Sequence, residues 1–163
     1  MSEKVHPMIR MKSLIAATAL VAMTSPFAAL AQSAPRDLGA EEANRQLVVG
    51  FYDRVFNQHE VAEGAKVIAD GYKQHNPHVP DGKAPFVAYF TGFFQKNPDA
   101  KARIVRSAAD GDLVWLHVHS TGNAKDRGRA IVDIFRVRDG QIVEHWDVIQ
   151  PVPETSANAN TMF

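Results

Sequence analysis

Residues 101–150 read KARIVRSAADGDLVWLHVHSTGNAKDRGRAIVDIFRVRDGQIVEHWDVIQ, and apolar residues alternate with other residues along most of this stretch. A period of two is typical of β-strands. The apolar runs are separated by turn-forming residues, at Asp110-Gly111, at residues 123–128 and at Asp139-Gly140. The pattern therefore predicts four antiparallel strands joined in hairpin order, over residues 101–109, 112–121, 129–138 and 141–149.

The residues before this stretch have a helical period instead. Residues 40–57 place apolar side chains on adjoining ridges, with two glutamates in the first turn, which predicts a long amphipathic helix. Shorter helices are predicted over residues 59–69 and 84–96, and the prolines in residues 72–82 predict a loop. The order of elements favours an α+β fold in which N-terminal helices pack on one strongly curved antiparallel sheet and enclose a pocket.

Composition narrows the classes of function. The chain has 163 residues, and its 18 Lys and Arg balance its 18 Asp and Glu, so no basic excess favours a nucleic-acid partner. The chain has no cysteine, which excludes disulfides, thiolate catalysis and cysteine-ligated metals. No glycine-rich phosphate-binding motif occurs, which disfavours a nucleotide-binding fold. A compact domain that binds a small molecule fits this composition best.

The first residues resemble a secretory signal peptide. Lys12 precedes an apolar run at Leu14–Met23, and the small residues of Ala29-Leu30-Ala31 are typical of a peptidase site. The run is shorter than the roughly 20 residues of a membrane-spanning helix, so we expect no stable membrane anchor. The alternative is an amphipathic helix packed on the domain.

The signal-peptide interpretation divides the chain into four parts. We expect residues 1–31 to be removed on export to the periplasm or the exterior, and residues 32–40 to form a flexible N-terminus. Residues 41–153 would form the folded domain, and residues 154–163 a flexible tail.

Polar residues within the apolar rows of the predicted strands are the first candidates for a functional site, because alternate side chains share a face. We expect these rows to meet in one cavity. A carboxylate in apolar surroundings loses hydration and becomes suited to exchange a proton near neutral pH, which makes Asp147 the first candidate. The candidates in the strands are Trp115, His117, His119, Asp133, Phe135, His145 and Asp147.

Each candidate also has a structural interpretation. Either aspartate could anchor a strand or loop through hydrogen bonds, and the histidines could be ordinary sheet residues. The spacing of His117 and His119 also suits two ligands of one metal ion, with His75 or His78 as the third. The run Gln74-His75-Asn76 before Pro77 could hold hydrogen-bonding side chains over a pocket mouth.

The other face of the last predicted strand carries Trp146 with Ile142, Glu144 and Val148. An exposed apolar stripe with a tryptophan is costly unless it is covered, which predicts a homodimer through the sheet. The competing interpretation is that this stripe packs on the chain's own helices and that Asp147 faces solvent.

Two segments carry a family resemblance: residues 72–77, YKQHNP, and residues 144–147, EHWD. With the surrounding residues 41–153, they resemble the SnoaL-like polyketide cyclases of the nuclear transport factor two-like superfamily. The resemblance implies three helices and a curved antiparallel sheet around a deep pocket, commonly as a homodimer through the sheet. In the polyketide cyclases an aspartate near the end of the last strand acts as general acid and base without a metal ion or an organic cofactor, and Asp147 matches that position.

The resemblance therefore implies acid/base catalysis on a small apolar carbonyl compound, by aldol cyclisation, isomerisation or related lyase chemistry. Asp147 would move the proton, and His75, His117 or Tyr72 would polarise the oxygen. Phe90 would line the pocket beside Tyr72. A secretory leader does not suit an intracellular polyketide as the substrate. Two alternatives stay open: a ligand-binding domain without chemistry, and a metal-assisted hydrolase that uses His117 and His119.

Overall fold

The computed structural model describes residues 35–163, so the predicted signal peptide and residues 32–34 lie outside the described residues. The elements, in chain order, are α1 (Leu38–Phe56), α2 (Val61–Gly64), a 3-10 turn (Ala65–Val67), β1 (Ile68–Gln74), α3 (Lys83–Lys96), β2 (Lys101–Asp110), β3 (Leu113–Thr121), β4 (Arg129–Arg138) and β5 (Gln141–Pro151). Among residues 35–163, no helix combines the length and apolarity needed to cross a membrane.

Helix α1 begins at Leu38, two residues earlier than predicted. The reason is a side-chain cap, because the Asp37 carboxylate accepts a hydrogen bond from the Ala40 N–H at 3.0 Å. The inner face of α1 is buried through Val48, Phe51 and Val55, which attaches the helix to the sheet.

The sheet has five strands in the order β1-β5-β4-β3-β2, rather than the four that were predicted. Residues Ile68–Gln74 form a strand that pairs parallel to β5, so the predicted helix over 59–69 and the predicted loop over 72–82 are each wrong where they overlap it. Both prolines of that segment follow β1, so they do not interrupt its hydrogen bonds. The other pairings are antiparallel, and the four predicted strands end within two residues of the observed ones.

A register shift between β4 and β5 decides which side chains face inward. Arg136 pairs with Glu144, but Val137 pairs with Ile142, so Val143 is an extra residue in β5. Ile142 is therefore completely buried in the core, and its predicted place on the outer face is wrong. Beyond the bulge, His145 lies on this same inner face.

The outer face of the sheet is the face that points away from the helices. It exposes Trp115, Val132 and Val148 by 40%, 40% and 70%. No helix or strand follows Pro151 within the described residues. The last residue, Phe163, stacks its ring on that of His119, with 4.2 Å between the ring centroids. The homodimer through the sheet stays a prediction.

Candidate functional site

A cavity of about 260 Å³ lies between the inner face of the sheet, α1 and α3. Aromatic side chains are the largest group in its wall, and they include Phe51, Phe56, Phe86, Tyr89, Phe90, Phe93 and Phe135. Its polar side chains include Tyr52, Tyr72, Gln74, Asn76, Ser120, Arg129, Asp133, His145 and Asp147. A mostly apolar cavity with a few convergent polar groups is the usual form of a small-molecule site.

Sheet register brings the polar groups together. Asp133 of β4 lies directly opposite Asp147 of β5, and the next inward pair is Phe135 with His145. On the other side of β5, Gln74 of β1 pairs with His145. The strand that sequence reasoning missed therefore brings Tyr72 and Gln74 to this group.

Asp133 and His145 form a buried pair within a longer hydrogen-bond network. The Tyr52 hydroxyl donates to Asp133 Oδ2 at 2.9 Å, and His145 Nε2 lies 2.9 Å from Asp133 Oδ1. On its other side, His145 Nδ1 lies 2.7 Å from Gln74 Oε1. Asp133 is 5% exposed and His145 is 7% exposed, so water cannot replace these partners easily.

The network fixes how many protons this pair holds. The Asn76 backbone N–H donates to Gln74 Oε1 at 3.0 Å, and because a backbone N–H can only donate, that atom of Gln74 is the carbonyl oxygen. His145 Nδ1 therefore carries a proton and donates it to Gln74. The bond between His145 Nε2 and Asp133 Oδ1 then needs one further proton, which either atom can hold. In both arrangements the Asp133–His145 pair has no net charge.

Asp147 is held differently, by one amide on the loop after β1. Asn76 Nδ2 donates to Asp147 Oδ2 at 2.6 Å. The other carboxylate oxygen, Oδ1, has no hydrogen-bond partner among residues 35–163. Asp147 thus presents one free oxygen at the wall of the cavity.

Tyr72 supplies a hydroxyl to the same cavity. Its oxygen accepts a 3.4 Å hydrogen bond from Gln74 Nε2, and its own proton goes to no other side chain or carbonyl of the described chain. Burial, together with the nearby charges of Asp133 and Asp147, raises the pKa of Tyr72 far above its usual value. Burial raises the pKa of Tyr52 in the same way. Tyr72 is therefore a neutral hydrogen-bond donor at neutral pH.

Three predicted pocket residues lie outside the cavity. Trp115, His117 and His119 are on the outer face, because β3 pairs Leu116 with Asp133 and so presents the alternate row inward. On that face His117 Nδ1 lies 2.6 Å from an Arg106 nitrogen.

His75 is also outside the cavity, and its predicted place in the pocket is wrong. Its ring stacks on Trp146 at 4.7 Å, and its Nε2 lies 2.9 Å from Glu144 Oε1. The hydrogen bonds from His75 and from Arg136 hold the pKa of Glu144 below its usual value. His75 thus attaches the end of β1 to the outer side of β5.

The remaining predicted pocket residues do line the cavity: Tyr72, Phe90, Asp133, Phe135, His145 and Asp147. Sequence reasoning missed Tyr52, whose only signal was a hydroxyl within the apolar face of α1. It noted Gln74 and Asn76, but it assigned neither a partner.

One set of side chains could hold a metal ion. Asp133, His145 and Asp147 each offer a ligand atom, and these atoms lie within 4.8 Å of one another. Two carboxylates and an imidazole suit a divalent transition metal, but His145 would first have to give up one of its two hydrogen bonds. Within the described residues this is the only such group, so the predicted set of His117 and His119 with His75 or His78 is not formed.

These features define a class of small α+β domains in which helices and one sheet enclose an aromatic cavity with acidic groups. The sequence pattern of the SnoaL-like domain matches residues 48–145, which is more than half of the chain. The chain therefore belongs to the SnoaL-like domain family, and its fold is that of the nuclear transport factor two-like proteins.

Solved structures share this fold at low sequence identity. A protein of Kribbella flavida, provisionally assigned as a ketosteroid isomerase, is 21% identical over 72% of this chain and 85% of its own, with a TM-score of 0.60. A SnoaL-like protein of unknown function from Burkholderia thailandensis is 21% identical, over 67% of this chain and 96% of its own, with a TM-score of 0.58. An NTF2-like protein of unknown function from Mesorhizobium loti is 23% identical over 72% of this chain and 97% of its own, with a TM-score of 0.58. A comparison with curated proteins finds no match.

Proposed function

We propose that this SnoaL-like chain is an acid/base enzyme that needs no cofactor and moves a proton next to the carbonyl group of a small apolar compound. One observation carries the proposal: Asp147 has one oxygen fixed by Asn76 and the other free at the wall of a largely apolar cavity. A carboxylate held in this way can accept a proton from a bound substrate.

In the proposed reaction, Asp147 removes a proton from the carbon next to the carbonyl. The electron pair of the broken C–H bond forms a C=C bond, and the negative charge moves to the carbonyl oxygen. Tyr72, which is neutral and has an uncommitted O–H, donates a hydrogen bond to that oxygen. The enolate then takes the proton back at another carbon, which is an isomerisation, or attacks a second carbonyl, which is an aldol closure.

The Asp133–His145 pair supports this division of roles. Asp133 and Asp147 are directly opposite each other, so negative charges on both carboxylates would repel. The proton held between His145 and Asp133 removes that conflict, because the pair then has no net charge. Asp147 is left as the anionic base.

The sequence of residues 11–31 is the basis for a second part of the proposal, that the protein is exported. The substrate would then be a compound of the periplasm or the surroundings. Intact-mass measurement of the protein purified from a periplasmic fraction tests this. We expect a chain that begins at Gln32, and a full-length chain confined to the cytoplasm would contradict it.

The catalytic proposal can be tested without the natural substrate. 2-Tetralone has acidic hydrogens next to its carbonyl and an aromatic body that suits the cavity, and deuterium incorporation from D₂O can be followed by proton NMR. We expect the protein to accelerate this exchange. Binding of 2-tetralone and of related ketones without any acceleration would instead favour a ligand-binding domain.

A further inference from the structure

We propose that the cavity has an anion-binding subsite at the end remote from Asp147, formed by Arg129 and Ser120. The substrate would then be an apolar carbonyl compound that also carries a carboxylate or a similar anionic group. The carbonyl part of this inference rests on the proposed function, whereas the anion subsite rests on the observations that follow.

The position of Arg129 follows from the pleat of β4. Arg129, Ile131 and Asp133 are alternate residues of this strand, and all three line the cavity. At about 3.3 Å per residue, the backbone of Arg129 lies roughly 13 Å along the strand from that of Asp133. Asp147 is opposite Asp133, so Arg129 and the residue that faces the proposed base are four residues apart in one inward-facing row.

Ser120 lies directly opposite Arg129 in the pairing of β3 with β4, and it also lines the cavity. Gly128, which precedes Arg129, adopts φ +81°, and a Cβ atom there would lie only 2.2 Å from the Ser120 carbonyl oxygen, so this close approach of the two backbones requires a glycine. The register therefore brings an arginine and a serine side chain onto the same inner face at this end of the cavity.

Neither side chain has a partner within the described part of the chain. Arg129 forms no ion pair there, and neither Arg129 nor Ser120 makes a side-chain hydrogen bond. Two acidic groups lie in this region: Glu154 pairs with Arg127 at 3.8 Å, and the Asp126 carboxylate accepts hydrogen bonds from the backbone N–H groups of Gly122 and Gly128. These bonds lower the pKa of Asp126, and Arg129 makes a smaller contribution. The guanidinium is thus free to bind a ligand.

This arrangement selects a class of ligand. A guanidinium can donate two parallel hydrogen bonds to one carboxylate, and a serine hydroxyl can donate a third. Between the two ends, the cavity offers Ile131, Ile149 and aromatic rings, which suit a hydrocarbon body. The matching compound therefore has its carbonyl group separated from an anionic group by several apolar atoms.

The test is a calorimetric titration with matched probes. The probes are phenyl ketones with a terminal carboxylate on a linker of about four to seven carbons, and the corresponding primary amides. We expect the best carboxylate to bind about threefold to tenfold more tightly than its amide, with a smaller preference at high salt. Arg129→Met should abolish the preference, and Arg129→Lys should keep part of it.

Arg103→Met is the matched control. Arg103 is also an exposed strand arginine without an ion pair among residues 35–163, but it pairs with His119 on the outer face. This variant should keep the full preference. Equal affinities for acid and amide in the wild type, an unchanged preference in Arg129→Met, or no binding of either probe would each overturn the inference.

The same titrations on Asp147→Asn separate the two proposals. The anion preference should persist in this variant, because the subsite does not depend on the base. A clear preference without any catalysed exchange would retain the subsite and refute the proposed enzyme. Catalysed exchange without an anion preference would retain the proposed enzyme and refute the subsite.

Discussion

Removal of the Tyr52 hydroxyl is the most stringent test of the buried hydrogen-bond network around Asp133. This side chain is 3% exposed, and its hydroxyl donates to Asp133 Oδ2 at 2.9 Å. In Tyr52→Phe the ring remains, but Asp133 loses a buried donor. A buried acceptor that loses its donor costs about 1–3 kcal/mol, so we expect the free energy of unfolding to fall by about 2 kcal/mol. For a domain of this size that corresponds to a fall of roughly 7 °C in Tm.

Urea unfolding, followed by the fluorescence of Trp115 and Trp146, measures this loss. Tyr89→Phe is the matched control, because Tyr89 is 44% exposed and its hydroxyl makes no hydrogen bond within residues 35–163. The control should stay within about 0.5 kcal/mol of the wild type. If Tyr52→Phe were as stable as the wild type, or if both variants lost the same amount, Tyr52 would not support Asp133 as described.

Three further predictions concern pH, a turn and the outer face. The raised pKa values of Tyr52 and Tyr72 keep both phenols protonated in the folded state while the unfolded chain ionises, so the free energy of unfolding should fall above about pH 10 by up to ~2.7 kcal/mol per pH unit. Denaturation at pH 9 to 11 measures the slope, and a Tyr72→Phe variant with an undiminished slope would contradict the assignment. In Gly128→Ala the free energy of unfolding should fall by about 1–3 kcal/mol or more, because the new Cβ would meet the Ser120 carbonyl oxygen. In Gly111→Ala, at φ +59° in open space, it should fall by about 1 kcal/mol. Equal melting temperatures for the two variants would contradict this prediction. His75→Ala should leave the rate of 2-tetralone exchange within about twofold of the wild type, because its ring lies outside the cavity, and a tenfold loss would restore His75 to the site.

The four C-terminal strands could be predicted because their alternation is long and is separated by turn residues. Strand β1 could not be predicted, because its two buried residues, Ile68 and Tyr72, are four positions apart and do not alternate. Asp70 and Gly71 lie between them, and Lys73 and Gln74 follow, so the segment has little apolar character. Its pairing is also parallel to β5, a partner about 70 residues away. Nothing local in the sequence predicts that contact.

Only part of the site could be predicted, again because the local sequence does not show how one strand pairs with the next. Alternation shows which residues of one strand share a face, and this correctly grouped His145 with Asp147 and placed Asp133 in an inward row. It does not show which row of the next strand joins them. The pairing of Leu116 with Asp133 makes the apolar row of β3 the inner one, and His117 therefore points outward.

The central claim is that Asp147 moves the proton, and the exchange rate of the Asp147→Asn variant tests it most directly. The substitution preserves the shape of the side chain and an acceptor for Asn76, but it removes the base. We predict at least about a hundredfold loss of catalysed deuterium exchange into 2-tetralone, with an unchanged rate in Asp139→Asn, a matched change in the turn between β4 and β5. An Asp147→Asn variant that folds and exchanges as fast as the wild type would contradict the account.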